Sequence, residues 1–316
     1  MLKIYNTDKV TNEFSIIDEF KTGSWISLIN PSQKEIQEVC EAVNIKPDFI
    51  LHSLDSEEQA RIDIDEDDNT VLFVIDTPII DRENGNTVHQ TLPIGIIVVR
   101  DDFFITVSLQ NNTLIDELTK NAAKEMITYK KSRNILKIFY KNSKIFLKEL
   151  LKLNKEKEAA EKELNKSMEN KALLRMLSLE KSLVYFSTSL KANELVMEKT
   201  MKGKVIKLYE EDEDLLEDAI IENRQSIEMT KIYSDILSGT MDAYASIISN
   251  NLNVVMKILT LVTIMLTIPS IMFAFWGMNV DLPFDNIKNA YVIVLSITAI
   301  MMVMAFIVLK KTKVIK

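Results

Sequence analysis

The segment Phe273–Asp285, FAFWGMNVDLPFD, separates the only two long apolar runs of the 316-residue chain. Ile258–Trp276 holds 19 residues without a charge and Ala290–Leu309 holds 20. Each is close to the ~20 residues with which an α-helix crosses about 30 Å of hydrocarbon. Both are therefore expected to span a membrane, with the quoted segment turning the chain between them. The connection carries Asp281, Asp285 and Lys288, whereas the tail KKTKVIK carries Lys310, Lys311, Lys313 and Lys316. This bias puts the C-terminus in the cytoplasm, and two crossings put the N-terminus there too.

Outward from the spans, composition sets limits. The mean hydropathy of +0.04 averages a charged body, up to about Asn253, and an apolar tail. A net charge of −8 excludes the basic stripe of a nucleic-acid surface and favours cations as partners. The single Cys40 rules out an internal disulfide, and with only His52 and His89 there is no cluster suited to structural zinc. The N-terminus MLKIYNTDKV lacks the apolar core of a signal peptide, so the body is expected in the cytosol. No GxxxxGK[ST] segment supports coupling to nucleotide hydrolysis.

Pattern divides the chain into seven expected segments. Residues 1–110 read as a cytosolic α/β domain: SWISLI, TVLFVIDTPII, LPIGIIVVR and FFITVSL are strand-like, and PSQKEIQEVCEAV opens an amphipathic helix. Arg100-Asp101-Asp102 has the composition of a hairpin turn. Residues 111–204, free of Pro and Gly up to Lys202, predict a helical hairpin with its break near Asn165. After Lys202-Gly203-Lys204 a stalk helix is expected over 205–257, continuing into the first span, 258–276. The external loop is 277–289, the second span 290–309 and the basic tail 310–316. One uninterrupted helix from about Val205 to Trp276 would be roughly 100 Å long.

Alternating steps of three and four place Ser270, Thr267, Thr263, Thr260, Met256 and Asn253 on one face of the first span. The ladder continues through Ser249, Ser246, Asp242, Gly239, Asp235, Ile232, Glu228, Gln225 and Ile221 to Asp218. Apolar residues Ile220, Ile227, Leu237, Met241, Tyr244 and Ile248 lie two positions out of phase, about 200° around the helix. Such a register holds over this length when identical helices supercoil together, which implies a bundle of copies around an ion path. Small hydroxyl residues also permit close helix packing, and Met256 with Leu259 serves equally as core or as an apolar constriction.

Gly277-Met278-Asn279 falls where the first span ends and backbone carbonyls lose their partners. Neutral carbonyl and amide oxygens suit Mg²⁺, which gives up its waters reluctantly. WGMN after a Pro-containing span, then DLP and a second span with a Lys-rich tail, resembles the CorA family of magnesium channels. The resemblance extends over the whole chain. It implies a homopentameric funnel: an α/β cytosolic domain, a long helical hairpin and a stalk helix continuing into two C-terminal transmembrane helices. It implies a selectivity filter at Gly277, Met278 and Asn279, an inner pore Asn at Asn253 and an apolar gate at Met256. By the same resemblance, metal ligands are expected at Asn279 and Asp218, with Asp218 binding Mg²⁺ between subunits so that cytosolic Mg²⁺ closes the channel; Asp242 is expected as a further ligand from its place among the carboxylates of the ladder. Its partner ligands are sought in LDSEEQARIDIDEDD.

Mg²⁺ is thus both cargo and regulatory ligand, with Co²⁺ or Ni²⁺ as further cargo, no organic cofactor and no enzymatic activity. Membrane lipids of the plasma (inner) membrane are the remaining partner. Trp276 stands where the family usually has Tyr, and Asp281 and Asp285 where many members have Glu. The acidic run EEDEDLLED, Glu210–Asp218, reads as a dipole-favoured helix start or as a Mg²⁺ sensor. A carrier of zinc or another transition metal and a membrane-anchored coiled-coil scaffold are the alternatives.

Overall fold

The computed structural model describes residues 1–83, 86–100, 102–167, 170–202, 205–280 and 289–311. Its elements, in chain order, are β1 (Leu2–Thr7), β2 (Phe14–Ile17), β3 (Trp25–Ile29), α1 (Gln33–Val43), α2 (Asp48–His52), β4 (Arg61–Asp65), β5 (Thr70–Glu83), β6 (Asn86–Val99) and β7 (Phe103–Ser108). There follow α3 (Thr113–Lys120), α4 (Ala122–Glu125), α5 (Lys131–Ser167), α6 (Asn170–Lys202), α7 (Glu210–Trp276) and α8 (Ala290–Lys311). Two compact units result, Met1–Gly239 and Thr240–Lys316.

Alternation along the strands dictates the layering of the first unit. In β5, Leu72 and Val74 enter one buried cluster while Phe73 and Ile75 enter another; in β6, Ile97 and Val99 oppose Ile94, Ile96 and Val98. A sheet buried on both faces needs cover on both. Helices α1 and α2 cover one face through Ile36, Val39, Val43 and Ile50. The other face is covered by α3, α5, α6 and the base of α7, with Leu118, Phe139, Met197 and Leu216 among the contacts. The core thus crosses residue 110, and sheet and hairpin share one interior.

The described strands form one sheet in the order β2-β1-β3-β7-β6-β5-β4. Only β3 and β7 run parallel; the other pairs are antiparallel. The four strand-like stretches read from the sequence are β3, β5, β6 and β7. Arg100, with φ of +49°, turns β6 toward β7 as expected, although Asp101 lies outside the described residues. Helix α1 begins at Ser32, whose hydroxyl accepts from the Glu35 N–H at 3.3 Å while Glu35 accepts from the Ser32 N–H at 2.8 Å.

The helical region departs from the sequence reading in two places. It is interrupted at Met126–Lys130, where Thr128 and Thr7 exchange backbone-to-hydroxyl hydrogen bonds of 2.9 and 3.2 Å and tie the chain to β1. The stalk helix starts at Glu210, not near Val205. Val205, Ile206 and Leu208 instead lie against the core, and the Tyr209 carbonyl accepts from Asp212 and Glu213 to begin the helix. Helix α5 ends at Ser167 and α6 begins at Asn170, both inside the stretch LNKSMEN around Asn165 where the break is expected; 168–169 are outside the described residues, as are Gly203 and Lys204.

A buried polar layer fastens the hairpin to the sheet. Strand β4 accompanies β5 as far as Val74. Two residues on, the amide of Asn193 on α6 stands in for a strand, accepting from the Asp76 N–H and donating to its carbonyl, both at 2.8 Å. Asn142 on α5 donates to the same carbonyl at 2.7 Å. Burial pushes the Asp76 carboxyl above its ordinary range.

Asn193→Ala leaves the Asp76 N–H without its acceptor and is expected to lower stability by about 2 kcal/mol, measured by unfolding of the full chain in detergent. Asp76→Asn is expected to do the opposite at neutral pH. An acid whose folded pKa is raised costs stability as pH climbs above its unfolded value, so the gain should be present at pH 7 and vanish below the usual carboxylate range. Equal melting temperatures of variant and parent at pH 7 would refute this.

Candidate ion path and the residues around it

The polar ladder read from the sequence lies on a single helix, α7, which runs without interruption through Pro269 to Trp276. Each named position from Asp218 to Ser270 is exposed in the single chain, Asn253, Met256, Thr260, Thr263 and Thr267 included. The opposite ladder behaves in reverse at the base of the helix. Leu216, Ala219, Asn223, Ser226, Thr230 and Leu237 are buried, and Asn223 donates to the Leu190 carbonyl of α6 at 2.9 Å. Of the expected apolar ladder, Ile220, Leu237 and Tyr244 are buried, Ile227 and Met241 half-buried and Ile248 exposed.

In the second unit, partial burial along the span falls on Leu261, Ile264, Met265, Ile268, Pro269, Met272 and Trp276. On α8 it falls on Ala290, Ile293, Ile297, Met302, Ala305 and Leu309, with Val294 and Thr298 buried. These stripes exclude the hydroxyl ladder, which stays bare. The hydroxyl hydrogens are nevertheless committed. Thr260, Thr263, Thr267 and Ser270 donate to the carbonyls of Met256, Leu259, Thr263 and Leu266, at 2.7 to 2.9 Å. Bonding back by four residues satisfies each donor and leaves oxygen lone pairs facing outward. Such a face accepts hydrogen bonds, and a hydrated cation presents only donors.

At the end of α7 the Gly277 N–H donates to the Phe273 carbonyl at 2.9 Å and Met278 to Phe275 at 3.3 Å. Gly277, Met278 and Asn279 are all exposed. The backbone of Gly277 is not left-handed; what its missing side chain avoids is the Phe273 carbonyl oxygen, 3.1 Å from where a Cβ would sit. Glycine there serves close approach at the helix end rather than an unusual turn. Asp281 and Asp285 lie outside the described residues, as do Lys313 and Lys316.

Asp218 and Asp242, the expected ligands on the stalk, are exposed. Lys144 of α5, seated over the Tyr140 ring at 4.3 Å, is within electrostatic reach of Asp218 and Glu222. Among the described residues no group of three His, Cys, Asp or Glu side chains is placed to hold a metal within one chain. In the stretch 54–68, Arg61 engages Glu58 and Asp63, and Lys46 engages Asp65 at 2.6 Å and Asp68 at 3.6 Å. Lys46 and two backbone N–H groups hold the Asp65 carboxyl below its ordinary range. The acidic run Glu210–Asp218 forms the first turns of α7, where Arg133 holds the Glu211 carboxyl below its usual range across 2.8 Å.

Two helices, Glu210–Trp276 and Ala290–Lys311, are long and apolar enough to cross a membrane. Together with the α/β unit they give the plan of a two-span membrane transporter. Over residues 20–311 the chain matches the family described as CorA-like Mg2+ transporter protein, and it belongs to that family, whose members are ion transporters and not enzymes. The cobalt/magnesium transport protein CorA of Methanocaldococcus jannaschii is 26% identical over 282 residues, 87% of this chain and 86% of that one. The protein of the same name from Thermotoga maritima is 28% identical over 146 residues, 42% of each chain. The solved structure of the complete CorA magnesium transporter from M. jannaschii has the same fold, with a TM-score of 0.84 at 22% identity over 98% of this chain and 97% of that one.

Proposed function

We propose that five copies of this chain surround a central path through which hydrated Mg²⁺, with Co²⁺ or Ni²⁺ as further cargo, enters the cell down the membrane potential. The observation that carries this reading is the bare ladder of α7: hydroxyl oxygens with their hydrogens already used, continuous with Asn253 and Asp242 below and leading to Asn279 above. Packing such a face against lipid would strand its lone pairs in hydrocarbon, whereas copies of the chain turned face to face place them around water. Asn279 offers an amide oxygen at the mouth, where a hydrated ion is first gripped. Met256 narrows the path with an apolar ring.

The stalk carboxylates follow the same logic. Asp242, Asp235, Glu228 and Asp218 are exposed on the ladder, so bundling five helices stacks them into acidic rings that concentrate cations. With too few ligands in one chain to hold Mg²⁺ among the described residues, Asp218 acts between neighbouring subunits. Bound Mg²⁺ there holds the bundle closed. A divalent ion moving inward gains about 2 × 2.3 kcal/mol per 100 mV, so influx needs no other energy source but does need such a brake. Both termini lie in the cytoplasm under this arrangement, and the Lys-rich tail meets anionic headgroups.

Asn279→Ala in proteoliposomes is expected to abolish Mg²⁺ uptake while the oligomer, followed by size and crosslinking, stays intact; undiminished uptake removes Asn279 from the path. Asp218→Ala is expected to weaken closure by internal Mg²⁺. Currents that remain as sensitive to internal Mg²⁺ as those of the parent remove Asp218 from the brake.

A further inference from the structure

Helix α5 carries a basic stripe. From Arg133 to Lys155, steps of four and three pass through seven cations on one face, over about 33 Å of helix, in a chain whose net charge is −8. The first three are used inside the chain: Arg133 pairs with Glu211 at 2.8 Å, Lys137 donates to the Glu125 carbonyl and Lys141 pairs with the Glu125 carboxylate at 2.6 Å. Lys144, Lys148, Lys152 and Lys155 are exposed. Lys144 lies over the Tyr140 ring and Lys152 reaches Glu149, but Lys148 and Lys155 are in no ion pair among the described residues. Between them Leu151 is 47% exposed. Glu125 belongs to α4, which touches β2 at one edge of the sheet, so its bonds to Lys137 and Lys141 turn the stripe toward that side.

The other edge of the sheet, at β4, has the opposite sign. Residues 55–68 hold eight carboxylates and one cation, Arg61. Arg61 and Lys46 answer Glu58, Asp63, Asp65 and Asp68, whereas Glu57, Glu66 and Asp67 are exposed and in no ion pair among the described residues. A cleft of about 510 Å³ opens at this edge. Five carboxylates line it, Glu66 and Asp67 among them, against Lys46 and the imidazole of His52, and Ile64 on its wall is 54% exposed. Stripe and cleft lie on opposite flanks of one unit, so they meet only between copies. Two copies turned like flank to like flank would oppose like charges. Set head to tail, each neighbouring pair joins unlike ones, and such a contact closes into a ring when its rotation divides the circle. We infer that the acidic β4 edge of each copy docks on the basic stripe of the next, Lys148 entering the cleft beside Glu66 and Asp67 and Leu151 covering Ile64. This rests on the five-copy reading above and supplies its contact in the first unit. Complementary charge of this kind selects which flank meets which.

Lys148→Cys combined with Glu66→Cys tests the contact in the full-length protein in detergent, where the native Cys40 is buried. Oxidation is expected to link chains into ladders of up to five on non-reducing gels, with no such ladder from either single variant. Glu66→Lys with Asp67→Lys is expected to raise at least tenfold the protein concentration at which light scattering finds the assembly half dissociated. Adding Lys148→Glu with Lys155→Glu should restore the parent value. All four positions are exposed, so none of these variants disturbs the core. A five-chain mass without linkage through residues 66 and 148, or a charge reversal that the second pair does not rescue, overturns the contact and leaves the five-copy reading standing. A single-chain mass for the parent removes both.

Discussion

Hydrocarbon offers no hydrogen-bond partners, so whatever polar surface a span carries has to be met from within the protein. On α7 that requirement is met only in part. The hydroxyl hydrogens are absorbed by the helix itself, and the oxygens are not. The faces that the two spans cover in one chain exclude the ladder, leaving it for other copies or for water. Assembly around an axis is the arrangement in which both demands are answered, and the pentameric reading depends on it.

The first unit solves a different problem, that of anchoring long helices to a sheet. Apolar alternation makes both sheet faces sticky, and one of them is closed by helices that belong, in sequence, to the hairpin and the stalk. Polar residues then fix the register. The Asn193 amide in place of a neighbouring strand permits one seating of α6 along β5, where a purely apolar interface would tolerate sliding. The base of α7 is seated in the same way, with Asn223 donating to α6 and Ser143 of α5 donating to the Ala219 carbonyl.

Much of this was legible in the chain because the relevant signals are periodic. The two spans, the ladder on α7 and the strands β3, β5, β6 and β7 all follow from spacing. Strands β1, β2 and β4 did not announce themselves: β4, RIDID, carries three charges in five residues and reads as part of an acidic stretch. Its pairing with β5, not its own propensity, makes it a strand. The break at Met126–Lys130 escaped notice because Thr128 bonds to Thr7, 121 residues away, and no local pattern records that. The same holds for the apolar approach to α7, where Val205 and Ile206 resemble helix and are held flat by the core. Of the candidate path, the face was legible but the use of each hydroxyl hydrogen was not.

Those committed hydroxyl hydrogens also bear on what is turned away. A wall of lone pairs offers nothing to chloride or phosphate, whose water shells and surfaces seek donors. Residues Ile258–Trp276 contain no side chain that gains or loses a proton near neutrality. On the proposed path, anions would be turned away in the membrane layer by uncharged oxygens, and acidification of the surroundings would leave that part of the path untouched.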